Sequence, residues 1–116
     1  MTVRRIVANI AAGDPGRARV FYGDVLDMDV AMDHGWIITF VSTAAAPAQV
    51  SIASEGGGGL PVPDLSIEVD NLDEVMARLA KAGFVPEYGP AVEPWGVRRL
   101  FVRDPSGRLV NILSHI

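Results

Sequence analysis

The stretch Val102 to His115 reads VRDPSGRLVNILSH, and its pattern decides the fold. Apolar residues alternate with polar ones on both sides of a Pro-Ser-Gly turn. Val102–Asp104 and Leu109–Leu113 are therefore expected to be two strands of a hairpin. The second strand carries Asn111 among apolar neighbours. A carboxylate at that place would suit a hard cation, whereas an amide offers one neutral acceptor and one neutral donor group.

Toward the N-terminus, the strand VRRLFV (97–102) follows a turn, Glu93-Pro94-Trp95-Gly96, and Phe84–Tyr88 reads as a short strand whose Pro86 suits a sheet edge. Asn71 is a helix cap, Leu72, Val75, Met76, Leu79 and Ala82 form an apolar stripe at helical spacing, and Gly83 closes the helix. Leu65, Ile67 and Val69 alternate with Asp64, Ser66 and Glu68, so a strand precedes that helix. Residues from about 64 to 116 thus read βαβββ. Residues 54–63, SEGGGGLPVP, are short of side chains that pack and read as a linker.

The first half, residues 1 to about 53, repeats the order. Val3–Ala11 is a strand with Ile6, Ala8 and Ile10 on one face and Arg5, Val7 and Asn9 on the other. Asp14 caps a helix with Pro15 at its first position, and Ala18, Val20, Phe21, Tyr22, Val25 and Leu26 give it an apolar stripe, with Arg17, Arg19 and Asp24 outward. Met28–Met32, Trp36–Val41 and Gln49–Ala53 are strand candidates, with Asp33-His34-Gly35 as a turn. An offset of 57 residues lays Asp14 on Asn71, Ala18 on Val75, Tyr22 on Leu79, Val25 on Ala82 and Ile10 on Ile67. The expected fold is α+β: two βαβββ modules forming an open, mixed-sheet half-barrel with the helices outside and a cleft between the uncovered sheet faces.

Composition narrows the function classes. The chain of 116 residues has the length of one domain, and its lack of cysteine removes disulfides, thiolate metal sites and cysteine nucleophiles together. A cytoplasmic protein is the plainest reading, since no signal-peptide core or membrane span is visible in the sequence. With a net charge of −4 and arginines at 4, 5, 17, 19, 98, 99, 103 and 108 spread over both halves, nucleic acid is not an expected partner.

FYGDVLDMDV after the capped Asp-Pro start, IEVDNLDEVMARLAKAGF in the second half and EPWGVRRLFVRDPSGRLVNIL at the end resemble the vicinal oxygen chelate superfamily. That superfamily groups glyoxalases, fosfomycin-resistance enzymes, extradiol dioxygenases and bleomycin-resistance proteins. The resemblance covers nearly the whole chain and implies metal ligands, in the metal-dependent members, from the first and last strands of each half. The matching positions that can be placed here are Val7, Asp64 and Asn111. A valine, an aspartate and an amide in place of histidine or glutamine with glutamate imply no bound divalent metal and no cofactor. His34, in a turn, and His115, next to the end of the chain, do not restore the set.

By strand alternation the cleft is lined by Arg5, Val7, Asn9, Asp64, Ser66, Glu68, Arg99, Phe101 and Asn111, while Ile6, Ala8, Ile10, Leu65, Ile67, Val69, Leu100, Val102, Val110 and Ile112 belong under the helices. Trp36 and Trp95 add flat faces for an aromatic ligand, and the Trp95 loop brings Arg98 and Arg99 within reach of an anionic group. The expected ligand-binding residues are Trp36, Trp95, Arg99, Phe101, Asn9, Ser66 and Asn111.

Three functions compete. The resemblance implies first a metal-free, homodimeric binding protein that sequesters a small, partly aromatic compound. The second is a lyase, isomerase or dioxygenase in which Glu68 or Asp64, raised in pKa by a dry cleft, acts as general base. The third is a non-catalytic subunit or regulator.

Overall fold

The computed structural model describes residues 1–43, 49–105 and 107–116. Strand β1 spans Val3–Ala11, as its alternation requires. The chain divides into two compact units, and β1 is shared: Met1–Ile6 joins Pro63–Ile116, while Val7–Val62 forms the other.

In the unit Val7–Val62, Asp14 caps a single 3₁₀ turn, Pro15–Arg17, by accepting from the Gly16 N–H at 3.2 Å. The chain then continues as a π-helix, Arg19–Val25, with the Leu26 N–H donating to the Phe21 carbonyl at 3.1 Å. Strands β2 (Asp29–Asp33), β3 (Ile37–Val41) and β4 (Gln49–Ala53) follow. β3 is antiparallel to β2 and β4, and β4 runs parallel to β1 with Ile10 opposite Ile52. Ile38, Phe40 and Ile52 form the core, with Ala18, Tyr22 and Met28 packed on it.

This half departs from the regular helix and its stripe. Only Ala18 and Tyr22 of the six stripe residues reach that core, while Val20, Phe21, Val25 and Leu26 are 64, 56, 66 and 51 % exposed. The short helical segment covers β3 and β4 and leaves β1 bare. Ile6 and Ile10, expected under a helix, are therefore exposed, whereas Val7 is buried. Trp36 falls just before β3 and Asp33 within β2, so the turn sits one residue later than its sequence suggests.

The glycine run is not a bare linker. The Gly56 N–H donates to the Leu60 carbonyl at 2.7 Å, and the Gly59 N–H to Glu55 Oε1 at 2.8 Å. Gly57, Gly58 and Gly59 all have positive φ, which a side chain would strain. A Cβ on Gly56 would stand 2.1 Å from the Pro61 carbonyl oxygen, so this glycine is required by a close backbone approach.

In the other unit, β5 (Leu65–Val69) leads into α1 (Leu72–Ala82), then β6 (Tyr88–Glu93), β7 (Val97–Arg103) and β8 (Leu109–His115). Asn71 Oδ1 accepts the Glu74 N–H at 3.1 Å, and Gly83 closes the helix at φ 85°. β5 is parallel to β8, and β7 is antiparallel to both β8 and β6. The Asp104 N–H donates to the Arg108 carbonyl and the Gly107 N–H to the Asp104 carbonyl, each at 3.0 Å, between β7 and β8; Ser106 of the expected Pro-Ser-Gly turn lies outside the described residues. Val69, Leu72, Val75, Leu100 and Val102 are its core.

The edge strand begins at Tyr88 rather than ending there. Phe84, just past the helix cap, packs on the α1 core instead, and Pro86 has no N–H to give to a ladder. Among the described residues, hydrogen bonding orders the strands β2-β3-β4-β1-β5-β8-β7-β6, a mixed sheet with β2 and β6 at its ends. The fold is α+β with two βαβββ units, and among the described residues no helix is long and apolar enough to cross a membrane.

Candidate ligand-binding site

α1 packs on the face of β5, β7 and β8 that carries Ile67, Leu100, Val102 and Ile112. Pleating sends the alternate residues to the opposite face. There the register sets Ser66 beside Asn111, Asn111 beside Phe101, and Phe101 beside Tyr88, one residue from each of four strands. Asn111 Nδ2 donates to Ser66 Oγ at 3.1 Å. Asn111 is 7 % exposed, and its Oδ1 accepts from no described residue.

Arg99 occupies the next position on the same face. Its guanidinium carbon lies 4.8 Å from the Phe101 ring centroid, 4.9 Å from that of Trp95 and 5.6 Å from that of Tyr88. A planar, weakly hydrated cation among three π-faces is a favourable arrangement. Its Nε is 3.4 Å from Glu93 Oε1, the two side chains being 4 and 9 % exposed. The Tyr88 hydroxyl donates to the same Glu93 oxygen. That bond, with burial and the Glu93 charge, pushes the Tyr88 pKa up, so the phenol remains a donor. Arg98, by contrast, turns to the helix side, donating to Asp73 Oδ1 at 2.8 Å and contacting Met76 Sδ at 3.8 Å.

Glu68 is bound up in a different cluster. Arg5 Nε is 2.9 Å from its Oε1, and His115 Nδ1 is 2.9 Å from its Oε2. Burial raises the Glu68 pKa, but the hydrogen bond and charge of His115 and the charge and hydrogen bond of Arg5 outweigh it, and the net shift is downward. The general base of raised pKa expected at Glu68 is therefore corrected: two basic partners hold it ionised. Asp64 is exposed just before β5, and its Oδ2 accepts the Leu109 N–H at 3.1 Å.

Of the residues singled out from sequence, Arg99, Phe101, Trp95, Asn111, Ser66 and Glu68 fall in one unit, with the Asn111 and Arg99 groups in neighbouring rows. Trp36 and Asn9 belong to the other unit, where Trp36 stacks on His34 at 6.2 Å and a buried Thr39 to Ser51 hydroxyl pair spans 2.7 Å. Tyr88, Glu93, Thr39 and Ser51 were not foreseen. Thr39 and Ser51 sit at the alternating inward parity of their strands and were open to detection by it. Tyr88 and Glu93 were missed because the edge strand runs from Tyr88 to Glu93, where the sequence suggested a strand ending at Tyr88 and a turn starting at Glu93, and a register shift between Tyr88 and Ala91 breaks its alternation.

The metal positions implied by family resemblance do not form a donor set. Val7 is buried hydrocarbon, Asp64 already serves a backbone N–H, and Asn111 is an amide committed on one side to Ser66. A hard or borderline divalent cation needs several lone-pair donors, and these three residues do not fit one.

The fold, with its paired βαβββ units, defines a class that comparison with known families identifies. The Glyoxalase/Bleomycin resistance protein/Dioxygenase superfamily model matches residues 4–112, and the chain belongs to that superfamily. Its fold is similar to a structure described as an NAD-dependent benzaldehyde dehydrogenase from Legionella pneumophila, with 15% identity, TM-score 0.76, and coverage of 97% of this chain and 100% of that one. A glyoxalase/bleomycin resistance protein/dioxygenase superfamily member from Vibrio splendidus 12B01 is similar at 17% identity and TM-score 0.64, covering 99% and 100%. A Streptomyces coelicolor methylmalonyl-CoA epimerase variant in complex with 2-nitronate-propionyl-CoA is similar at 15% identity and TM-score 0.72, covering 98% and 99%. No curated protein matches the sequence.

Proposed function

We infer that the protein binds a small, partly aromatic organic ligand without a metal, on the face that carries Arg99, Trp95, Phe101, Asn111 and Ser66, and that it acts as a sequestering resistance protein. The observation that carries this reading is the Arg99 guanidinium held among three aromatic rings beside a buried amide with an unused acceptor. Trp95 and Tyr88 are only half-buried and keep surface for a ligand ring. Trp36 and Asn9 are the candidates on residues 7–62. A catalytic reading would rest on Glu68, and a carboxylate stabilised as its anion is a weak base.

The same reading makes the protein a cytoplasmic homodimer. Val20, Phe21, Val25 and Leu26 form an apolar surface that their own sheet does not use, and at the positions matching Val20 and Phe21 the second helix carries the smaller Ala77 and the charged Arg78. A contiguous apolar patch that packing does not demand is the kind of surface a second copy covers.

The test is a thermal melt against divalent metals and a panel of bleomycin-like, aromatic and anionic compounds. A ligand at a hundred times its dissociation constant adds about 2.7 kcal/mol, a shift on the order of 10 °C for a domain of this size. The expected result is a shift with an organic compound that Trp95→Ala abolishes. A chelator-reversible shift with nickel, manganese, zinc or iron overturns the metal-free reading.

A further inference from the structure

The face of β5, β7 and β8 on which α1 packs also holds a cavity of about 290 Å³. Its floor is Leu65 beside Val110 and Ile67 beside Ile112, pairs set by the parallel register of β5 and β8. Gly83 ends α1, the Phe84 N–H turns back to donate to the Leu79 carbonyl at 2.9 Å, and the Leu79 and Phe84 side chains form a wall. Arg103 and Pro105, both exposed, make up the rim with Asp104. Leu65, Ile67, Leu79, Phe84 and Ile112 are only half-buried, so the lining keeps surface for a ligand.

The chemistry of the lining restricts what can enter. The β5–β8 ladder takes up the strand amides of the floor, and the Gly83 and Phe84 N–H groups serve the Ala80 and Leu79 carbonyls. At the rim, Arg103 Nε donates to Glu87 Oε1 at 2.9 Å and its Nη1 to the Gly107 carbonyl at 3.1 Å, while Asp104 Oδ1 accepts the Arg108 N–H at 2.9 Å. A carboxylate arriving there meets Asp104, and an ammonium meets Arg103. Removing such a charge from water without a partner is costly, whereas burying hydrocarbon is favourable. Six branched aliphatic side chains and a single ring line the cavity, so no pair of flat faces holds an aromatic ligand by stacking.

We propose that this cavity is a second ligand site, which takes the saturated hydrocarbon chain of an uncharged amphiphile and leaves its hydroxyl, ester or amide head at the Arg103–Asp104 rim. The volume stands near the lower end of small-molecule sites, about 300–1,000 Å³, and is too small to admit a partner helix about 10 Å across. The site lies on the opposite sheet face from Arg99 and Asn111 and does not rest on the reading of that face.

The experiment follows the methyl NMR spectrum of the full wild-type chain during titration with 1-butanol, 1-hexanol, hexanoate, hexylammonium and benzyl alcohol. Each buried methylene is worth about fourfold in affinity, so 1-hexanol is expected to bind about 15-fold more tightly than 1-butanol. It is also expected to bind several-fold more tightly than the two ions and benzyl alcohol, with saturable shifts centred on the methyls of Leu65, Ile67, Leu79 and Ile112. Leu65→Phe, which fills the floor, is expected to abolish those shifts, and the wild-type titrations decide the matter even if that variant fails to fold. Shifts centred on Val97 and Leu113 of the opposite face, shifts that never saturate, or equal binding of an ion or benzyl alcohol each overturn the proposal. So do shifts of the cavity methyls that follow protein concentration instead of alcohol, the mark of a second copy covering the cavity. None of these results decides the reading of the Arg99 face.

Discussion

The π-helix Arg19–Val25 and the α-helix Leu72–Ala82 hold matching places in two units of one topology, yet only the second is a regular helix. Their sequences explain the difference. α1 has an asparagine cap, Asp73 and Glu74 in its first turn, a Glu74 to Arg78 ion pair at 2.6 Å, and apolar residues confined to one stripe. The first segment has Gly23 inside it and no acidic residue in its first turn. Glycine costs about 1 kcal/mol relative to alanine in a helix, and without acidic residues the first turn lacks the favourable interaction with the helix dipole.

The largest effects test whether the two cores are as comparable as their strand orders. Phe40 and Leu100 are both fully buried, one in each unit. Phe40→Ala is expected to destabilise by about 3–5 kcal/mol and Leu100→Ala by about 2–5 kcal/mol, read by urea unfolding. A Phe40→Ala cost under about 1 kcal/mol would mean that the π-helical cap and the core beneath it are not packed as a core should be, and the comparison would break there.

How much was legible follows the same division. In β5, β7 and β8 strict alternation assigned each residue to a face, and Leu100, Arg99, Phe101 and Asn111 lie where alternation places them. In β1 alternation gave the faces but not the burial, because burial depends on what covers a face, and the shortened helix does not reach Ile10. Glycine and proline in SEGGGGLPVP were read as absence of structure, although Gly56 is needed for a close backbone approach. Asn111 was visible as a departure from the family pattern. Its bare acceptor was not, since hydrogen-bond satisfaction is a property of three-dimensional neighbours. The Glu93 partner of Arg99 was masked because Glu93 reads as the first residue of a turn before Pro94, whereas it ends β6.

A smaller effect sharpens the account of the π-helix. A Cβ on Gly23 would stand 3.9 Å from the Met28 carbonyl oxygen, an ordinary contact, and Gly23 is absent from the residues with positive φ. Gly23→Ala is therefore expected to stabilise the protein by about 0.4–1 kcal/mol, measured as a raised melting temperature. Destabilisation would show that the segment is held in its π geometry by something other than poor helix propensity.

The smallest effect on folding is expected from Phe21→Arg, which gives the first helix the residue that the second carries at the matching position, Arg78. Phe21 is 56 % exposed, so its replacement is expected to change unfolding free energy by no more than about 0.5 kcal/mol. Its effect on assembly is the informative one. If a second copy covers Val20, Phe21, Val25 and Leu26, a guanidinium at the patch must be desolvated without a partner, and sedimentation should show the dimer giving way to monomer. A wild-type chain that sediments as a monomer, or a variant that dimerises as well as the wild type, removes self-association as the reason for the difference between the helices. The apolar outer face of the first would then need another explanation.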